Sequence, residues 1–118
     1  MAATKTSRTI LASTSNTAGS STNGTELDIS TKYGALVFCK ITNGATGPTV
    51  GCDFVVYLGE ASGTKREFSR QTAGVANNGV TEFCVQVPPP GMFINVTFTG
   101  NTAQAVTVEC YAQELTTI

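Results

Sequence analysis

The chain of 118 residues has no histidine and no tryptophan, and only 13% of its residues are charged. Without histidine it lacks the commonest general base and the commonest metal ligand. Seven Lys and Arg stand against eight Asp and Glu, a formal net charge of −1, and no basic run occurs. The densest cationic cluster is Lys65, Arg66 and Arg70, with Glu67 among them. Nucleic-acid binding draws on a contiguous basic patch that displaces counterions from phosphate, so that class is set aside. No apolar run approaches membrane-spanning length, which argues against a membrane partner. The N-terminal stretch "MAATKTSRTILASTSNTAG" has no apolar core of a secretory signal. The expectation is a chain made and kept in a reducing cytosol with free thiols.

What the chain does hold is 41% hydrophobic residues, enough to exclude wholesale disorder, set among Gly, Thr, Ser, Asn and Ala. From Thr25 onward these recur with a period of two. In "YGALVFCKITN" Val37, Cys39 and Ile41 alternate with Leu36, Phe38 and Lys40. In "TVGCDFVVYLG" Cys52, Phe54, Val56 and Leu58 oppose Asp53, Val55 and Tyr57. "REFSRQT" reads as a short polar strand, and "VTEFCVQV" puts Thr81, Phe83, Val85 and Val87 opposite Glu82, Cys84 and Gln86. Pro88, Pro89 and Pro90 then end one strand, because proline has no N–H for a ladder, and Gly91 releases the chain. "MFINVTFTG" and "AVTVECYAQEL" supply two more alternating segments, and turn formers such as "NGATGP" separate the strands. No helical period of useful length occurs. The fold expected is all-β, an antiparallel β-sandwich of seven to eight strands over residues 25–118. Residues 1–24 read as an N-terminal arm or flexible segment, with "RTILAS" (Arg8–Ser13) as a possible edge strand within it.

Candidates for chemistry are thin. Glu26 and Asp28 share a face of a short strand, but no third or fourth ligand lies near for calcium, and a solvated strand face is the simpler reading. The other carboxylates come singly. Cys39, Cys52 and Cys110 alternate in phase with core residues and read as small buried hydrophobes, while Cys84 falls on the opposite face. With no CxxC spacing and no histidine to activate a thiolate, neither a metal site nor a nucleophilic cysteine is expected. "GATGPTVG" lacks the lysine and following helix of a phosphate loop and is a turn. The expectation is a non-enzyme without cofactor or metal. What remains is surface: Val55, Tyr57, Phe93 and Tyr111 fall opposite the inferred core, either as the aromatics that ordinary strands expose or as a second buried face, a subunit interface or docking surface.

Two stretches, "LDISTKYGALVFCKITNGATGPTVGCDFVVYLGE" and "QTAGVANNGVTEFCVQVPPPGMFINVTFTGNTAQAVTVECYAQELT", resemble small proteins from the structural-gene regions of tailed bacteriophages and prophages. They are similar to capsid decoration (cement) proteins. The resemblance implies a jelly-roll or related sandwich that binds the outside of a capsid as a dimer or trimer. It implies a role in stabilising the mature shell by bridging neighbouring capsomers, with the major capsid protein as partner. The location implied is the virion exterior, after synthesis in the bacterial cytoplasm. On this reading the contacts to capsid or sister subunits fall on Lys5, Arg8, Ile10 and Leu11 of the arm, and on Tyr57, Phe93 and Tyr111. Two alternatives stand beside it: a tail or head–tail connector component, and a carbohydrate-binding sandwich on the virion surface.

Overall fold

The structure is a computed structural model that describes residues 3–90 and 92–117. It is all-β, with nine strands among the described residues. β1 spans Thr4–Asn16, β2 Thr22–Asn23, β3 Leu27–Asp28, β4 Ala35–Asn43 and β5 Asp53–Gly59. β6 spans Arg66–Thr72, β7 Val80–Val87, β8 Phe93–Thr99 and β9 Val106–Thr117. One sheet runs β1-β9-β4-β7; the other runs β2-β8-β5-β6, with β3 also pairing with β8. Every pairing is antiparallel. With β2 and β3 taken as one interrupted strand, the pairs β1–β9, β2/β3–β8, β4–β7 and β5–β6 nest inside one another, as in a long hairpin rolled into two sheets. The fold is a jelly roll.

Alternation explains the layers. β4 buries Ala35, Val37, Cys39 and Ile41 and exposes Leu36, Phe38 and Lys40. β9 buries Val106, Val108, Cys110 and Ala112 in the same phase, and Cys39 lies opposite Cys110 in the register. From the other sheet come Phe54, Val56, Ile94, Val96 and Phe98. Phe54 packs on Phe98 at 5.3 Å between ring centroids and stacks on Phe83 at 6.3 Å. Burying one such ring contributes about 1.5–3 kcal/mol, so these aromatics tie the two sheets together. Cys39, Cys52 and Cys110 are buried and Cys84 is exposed. Burial pushes the Cys39 thiol up to about 12 and the Cys52 thiol up to about 11, and it raises Cys110 as well.

Turn chemistry fixes the corners. Gly34 sits at φ +102°, and a Cβ there would meet the Val87 carbonyl oxygen at 2.8 Å, so the entry to β4 requires glycine. Asn78, at φ 57°, turns the chain ahead of β7 in a conformation asparagine tolerates. β7 ends where the prolines begin; Gly91 lies outside the described residues.

The reading of the N-terminus as a flexible arm is corrected. Thr4–Asn16 is an edge strand paired along its length with β9, from Thr4↔Thr117 to Asn16↔Val106. The segment that reads as a flexible link is pinned too. Asn16, fully buried, donates to the Asn101 side chain and to the Ser20 carbonyl, and it accepts from the Thr22 hydroxyl. Asn101, equally buried, donates to the carbonyls of Asn16 and Gln104. Every polar side-chain atom of this pair has a partner, which is the condition for burying amides without loss.

Candidate functional surface

The two sheets differ on their outward faces. Over β8 and β5 the face of the second sheet is closed by its own side chains, whereas Phe68 on its edge strand β6 is 45% exposed. Glu26, on the link between β2 and β3, accepts from Asn95 of β8 and from Ser62 Oγ and Gly63 N–H of the β5–β6 loop. These bonds hold the Glu26 carboxyl below the usual carboxylate range, the Ser62 hydroxyl contributing most. Thr97 donates to Asn23, and Lys65 lies 5.8 Å from the Tyr57 ring. Val55 and the side chains of Asn95 and Thr97 are consequently buried on what alternation marks as an outward face, and Tyr57 and Phe93 are half-buried. Tyr57 and Phe93 therefore belong to a closed surface.

The cationic cluster on that sheet is also closed. Arg66 pairs with Glu60, and Arg70 reaches both Glu67 and Asp53, while Thr72 donates to Asp53. With its carboxylate neighbours in place, Arg70 holds its proton even more firmly than a free guanidinium. Such pairing leaves little positive field for a phosphate.

The outer face of the β1-β9-β4-β7 sheet is open. The register lays Thr9, Tyr111, Phe38 and Cys84 in one row across its four strands. The next row is Ser7, Gln113, Leu36 and Gln86, and on the other side Glu109, Lys40 and Glu82 make a charged row. Leu36 and Phe38 are each 38% exposed, Tyr111 40% and Tyr33 44%. Tyr33 joins this band at the β9 end through its N–H to the Leu115 carbonyl. The Tyr111 hydroxyl donates to Glu109, which raises its pKa and leaves the ring face bare. Shallow clefts run along the band, one between Tyr33, Leu36, Gln86 and Pro89 and another between Phe38, Lys40, Glu82 and Tyr111.

The residues expected to make contacts thus separate. Tyr111 lies at the centre of the open band, whereas Tyr57 and Phe93 lie on the far sheet. Ile10 is a core residue, 2% exposed, and Leu11 packs partly against the core, so neither is free for a partner. Lys5 and Arg8 are exposed, but Arg8 already donates to Glu114, which is 1% exposed, at 3.1 Å. Leu36 and Phe38 are the members not named among the expected contacts, although alternation sets them opposite Cys39. β4 is apolar on both faces, and its pairing with β9 and β7 shows that they line up with Tyr111. Glu26 and Asp28, the one candidate cation pair, are turned to local bonds, Asp28 to the Ser30 N–H. Among the described residues no three Cys, Asp or Glu side chains gather as metal ligands.

No family model matches the chain, and no curated protein does. Among solved structures, VP2 of infectious bursal disease virus, in its subviral particle, superposes at a TM-score of 0.59 and 12% identity. That match covers 96% of this chain and 33% of VP2. The enzymatically active domain of tailspike protein 4 of bacteriophage CBA120 matches at 0.55 and 10% identity, over 93% of this chain and 19% of that one. The K3 cleaved adhesin domain of Lys-gingipain from Porphyromonas gingivalis matches at 0.54 and 12%, over 80% of this chain and 63% of that domain. What they share is the fold. The chain spans a third or less of the two viral proteins and under two thirds of the adhesin domain.

Proposed function

We propose that this protein is a structural component of a phage-type virion. On this reading it binds the outside of the capsid and stabilises the mature shell by bridging neighbouring capsomers. The observation that carries the reading is the open band of Tyr33, Leu36, Phe38 and Tyr111 on one sheet, beside a second sheet whose outer face over β8 and β5 is satisfied internally. An exposed apolar band rimmed by polar rows marks a surface that docks on something larger. The sequence resemblance to decoration proteins and the jelly roll shared with VP2 of a viral particle support the same reading. Lys5 and Tyr111 then face the shell, and the chemistry asked of the protein is adhesion. A subunit that binds the expanded shell and not the unexpanded one stabilises the mature state by mass action, about 2.7 kcal/mol per site at a concentration one hundred times Kd.

Quantitative mass spectrometry of purified particles tests this, reporting copies of this protein per copy of major capsid protein. The result expected is a ratio near one or a simple fraction of it. Absence from particles overturns the structural reading. A few copies per hundred would instead place the protein in the tail or neck, the second reading, which the likeness to a tailspike domain favours. The other alternative, a carbohydrate-binding sandwich on the virion surface, would use Tyr33 and Tyr111 as stacking platforms for a glycan, and retention on a glycan column would report it.

A further inference from the structure

The four sheet edges are not protected alike. β1 carries three register shifts and the charges of Lys5 and Arg8. The β2/β3 edge is two strands of two residues each, broken between them. β6 carries Arg66, Glu67 and Arg70, and its pairing with β5 has a bulge. Bulges, charges and short strands are the devices that keep edges from pairing with other chains. β7 has neither a bulge nor a short span, and only one charge. Its eight residues, "VTEFCVQV", pair with β4 in one unbroken register from Val80↔Thr42 to Val87↔Ala35, with Glu82 as the single charge. Among the described residues β7 pairs with no strand but β4.

The phase of that ladder tells which groups are open. Asn43 N–H donates to the Gly79 carbonyl, in register with the β4–β7 pairs, so the odd-numbered residues of β7 bond to β4. The N–H and C=O groups of Val80, Glu82, Cys84 and Gln86 therefore point away from the sheet. Phe83 and Val85 turn inward at the same edge; Val85 is buried, but Phe83 is only half-buried where it stacks on Phe54. A strand added here would satisfy the open row and cover Phe83.

We propose that the strand is β7 of a second copy of this chain, antiparallel about a twofold axis at Cys84. The position of Glu82 selects the register. A twofold at Glu82 would set the two carboxylates directly opposite, which destabilises a pair of strands. A twofold at Phe83 would set each carboxylate opposite a thiol. The axis at Cys84 sets each Glu82 opposite the Gln86 amide of the other copy, a donor for its acceptor, and sets Phe83 opposite Val85, an aromatic–β-branched pair. The product is a continuous eight-stranded sheet in which both bands of Leu36, Phe38 and Tyr111 lie on the same side. This pairing is a property of the purified chain and stands whether or not the protein binds a shell.

Sedimentation velocity of the full chain across a range of concentrations tests the pairing, with a monomer–dimer equilibrium as the expected result. Cys84→Pro removes an N–H that β4 does not use, so it leaves the β4–β7 ladder intact and abolishes the dimer. Circular dichroism checks that this variant folds. Substitution at Gln86 tests the register with the fold untouched. Gln86→Glu faces Glu82 of the other copy twice and weakens the dimer about three- to tenfold, whereas Gln86→Lys tightens it by a similar factor. A short bis-maleimide joins the two Cys84 thiols, whose Cα atoms would lie about 5.5 Å apart. A chain that stays monomeric overturns the pairing. A dimer that Cys84→Pro leaves intact overturns β7 as its edge, and one indifferent to the sign of charge at position 86 overturns the register.

Discussion

Asn16 and Asn101 sit 85 positions apart in the chain and bury a pair of amides with every donor and acceptor used. In a chain so rich in Thr, Ser and Asn, neither residue differs in sequence from loop filler. Their role follows from the jelly-roll topology, which brings the end of β1 beside the β8–β9 connection. The same holds for Arg8, which reads as an arm residue and in the fold caps the buried Glu114. Alternation did mark the cysteines: Cys39, Cys52 and Cys110 are inside and Cys84 outside, because in-or-out phase is local information. The asparagine pair gives a quantitative expectation. Asn101→Ala leaves the Asn16 amide buried without its main partner and strips the Asn16 and Gln104 carbonyls of a donor. The loss expected is about 3 kcal/mol, since each orphaned buried group costs about 1–3 kcal/mol. Urea unfolding of the variant measures it, and a loss below about 0.5 kcal/mol would mean water replaces the amide freely.

Strands were the most legible elements and their partners the least. The stretches "REFSRQT" and "VTEFCVQV" are β6 and β7 to the residue, the second because its period-two alternation is written locally and the first, a polar strand, because turn formers bound it. The N-terminal strand was only half visible, as Arg8–Ser13, because β1 is an edge with register shifts that blur its alternation. The closure of the outer face by the β2–β3 link was invisible, since it rests on Glu26 meeting Ser62, Gly63 and Asn95 across three elements. That closure makes a pH prediction. Glu26 titrates lower in the folded state than in the unfolded chain, so its contribution is full above the unfolded carboxylate range and is lost as pH falls through the folded value. Asp28 and Glu60 are shifted the same way by the Ser30 and Arg66 bonds and add to the acid loss. The thermal transition is therefore expected to fall as pH drops below about 4.5. Glu26→Gln should flatten part of that slope while lowering the plateau slightly. An unchanged slope would show that the bridge carries no linkage.

At the scale of the molecule the central fact is asymmetry: one sheet is closed over β8 and β5 by its own network and leaves Phe68 exposed on its edge strand, while the other presents a row of aromatic and aliphatic side chains to solvent. Composition hinted at surface work through its low charge, but the aromatics could not be sorted to one sheet or the other without the pairing of β4 with β9 and β7. That sorting gives the adhesion reading its sharpest test. Phe38→Ser with Tyr111→Ser removes the centre of the band at positions about 40% exposed, where little core packing is lost. Stability of the free protein is expected to change by less than about 1 kcal/mol, the range of cross-strand surface pairs. Retention on particles is expected to fall by a factor of ten or more, since buried aromatic anchors carry about 2 kcal/mol or more in an interface. Tyr57→Ser with Phe93→Ser, on the closed sheet, should do the reverse, lowering stability and sparing retention by whatever protein remains folded. Co-sedimentation with particles stripped of this protein, run beside thermal unfolding of each variant, separates the two outcomes. If both pairs lowered stability and neither lowered retention, the open band would not be the docking face, and the exposed ends of the sandwich would have to carry the contact.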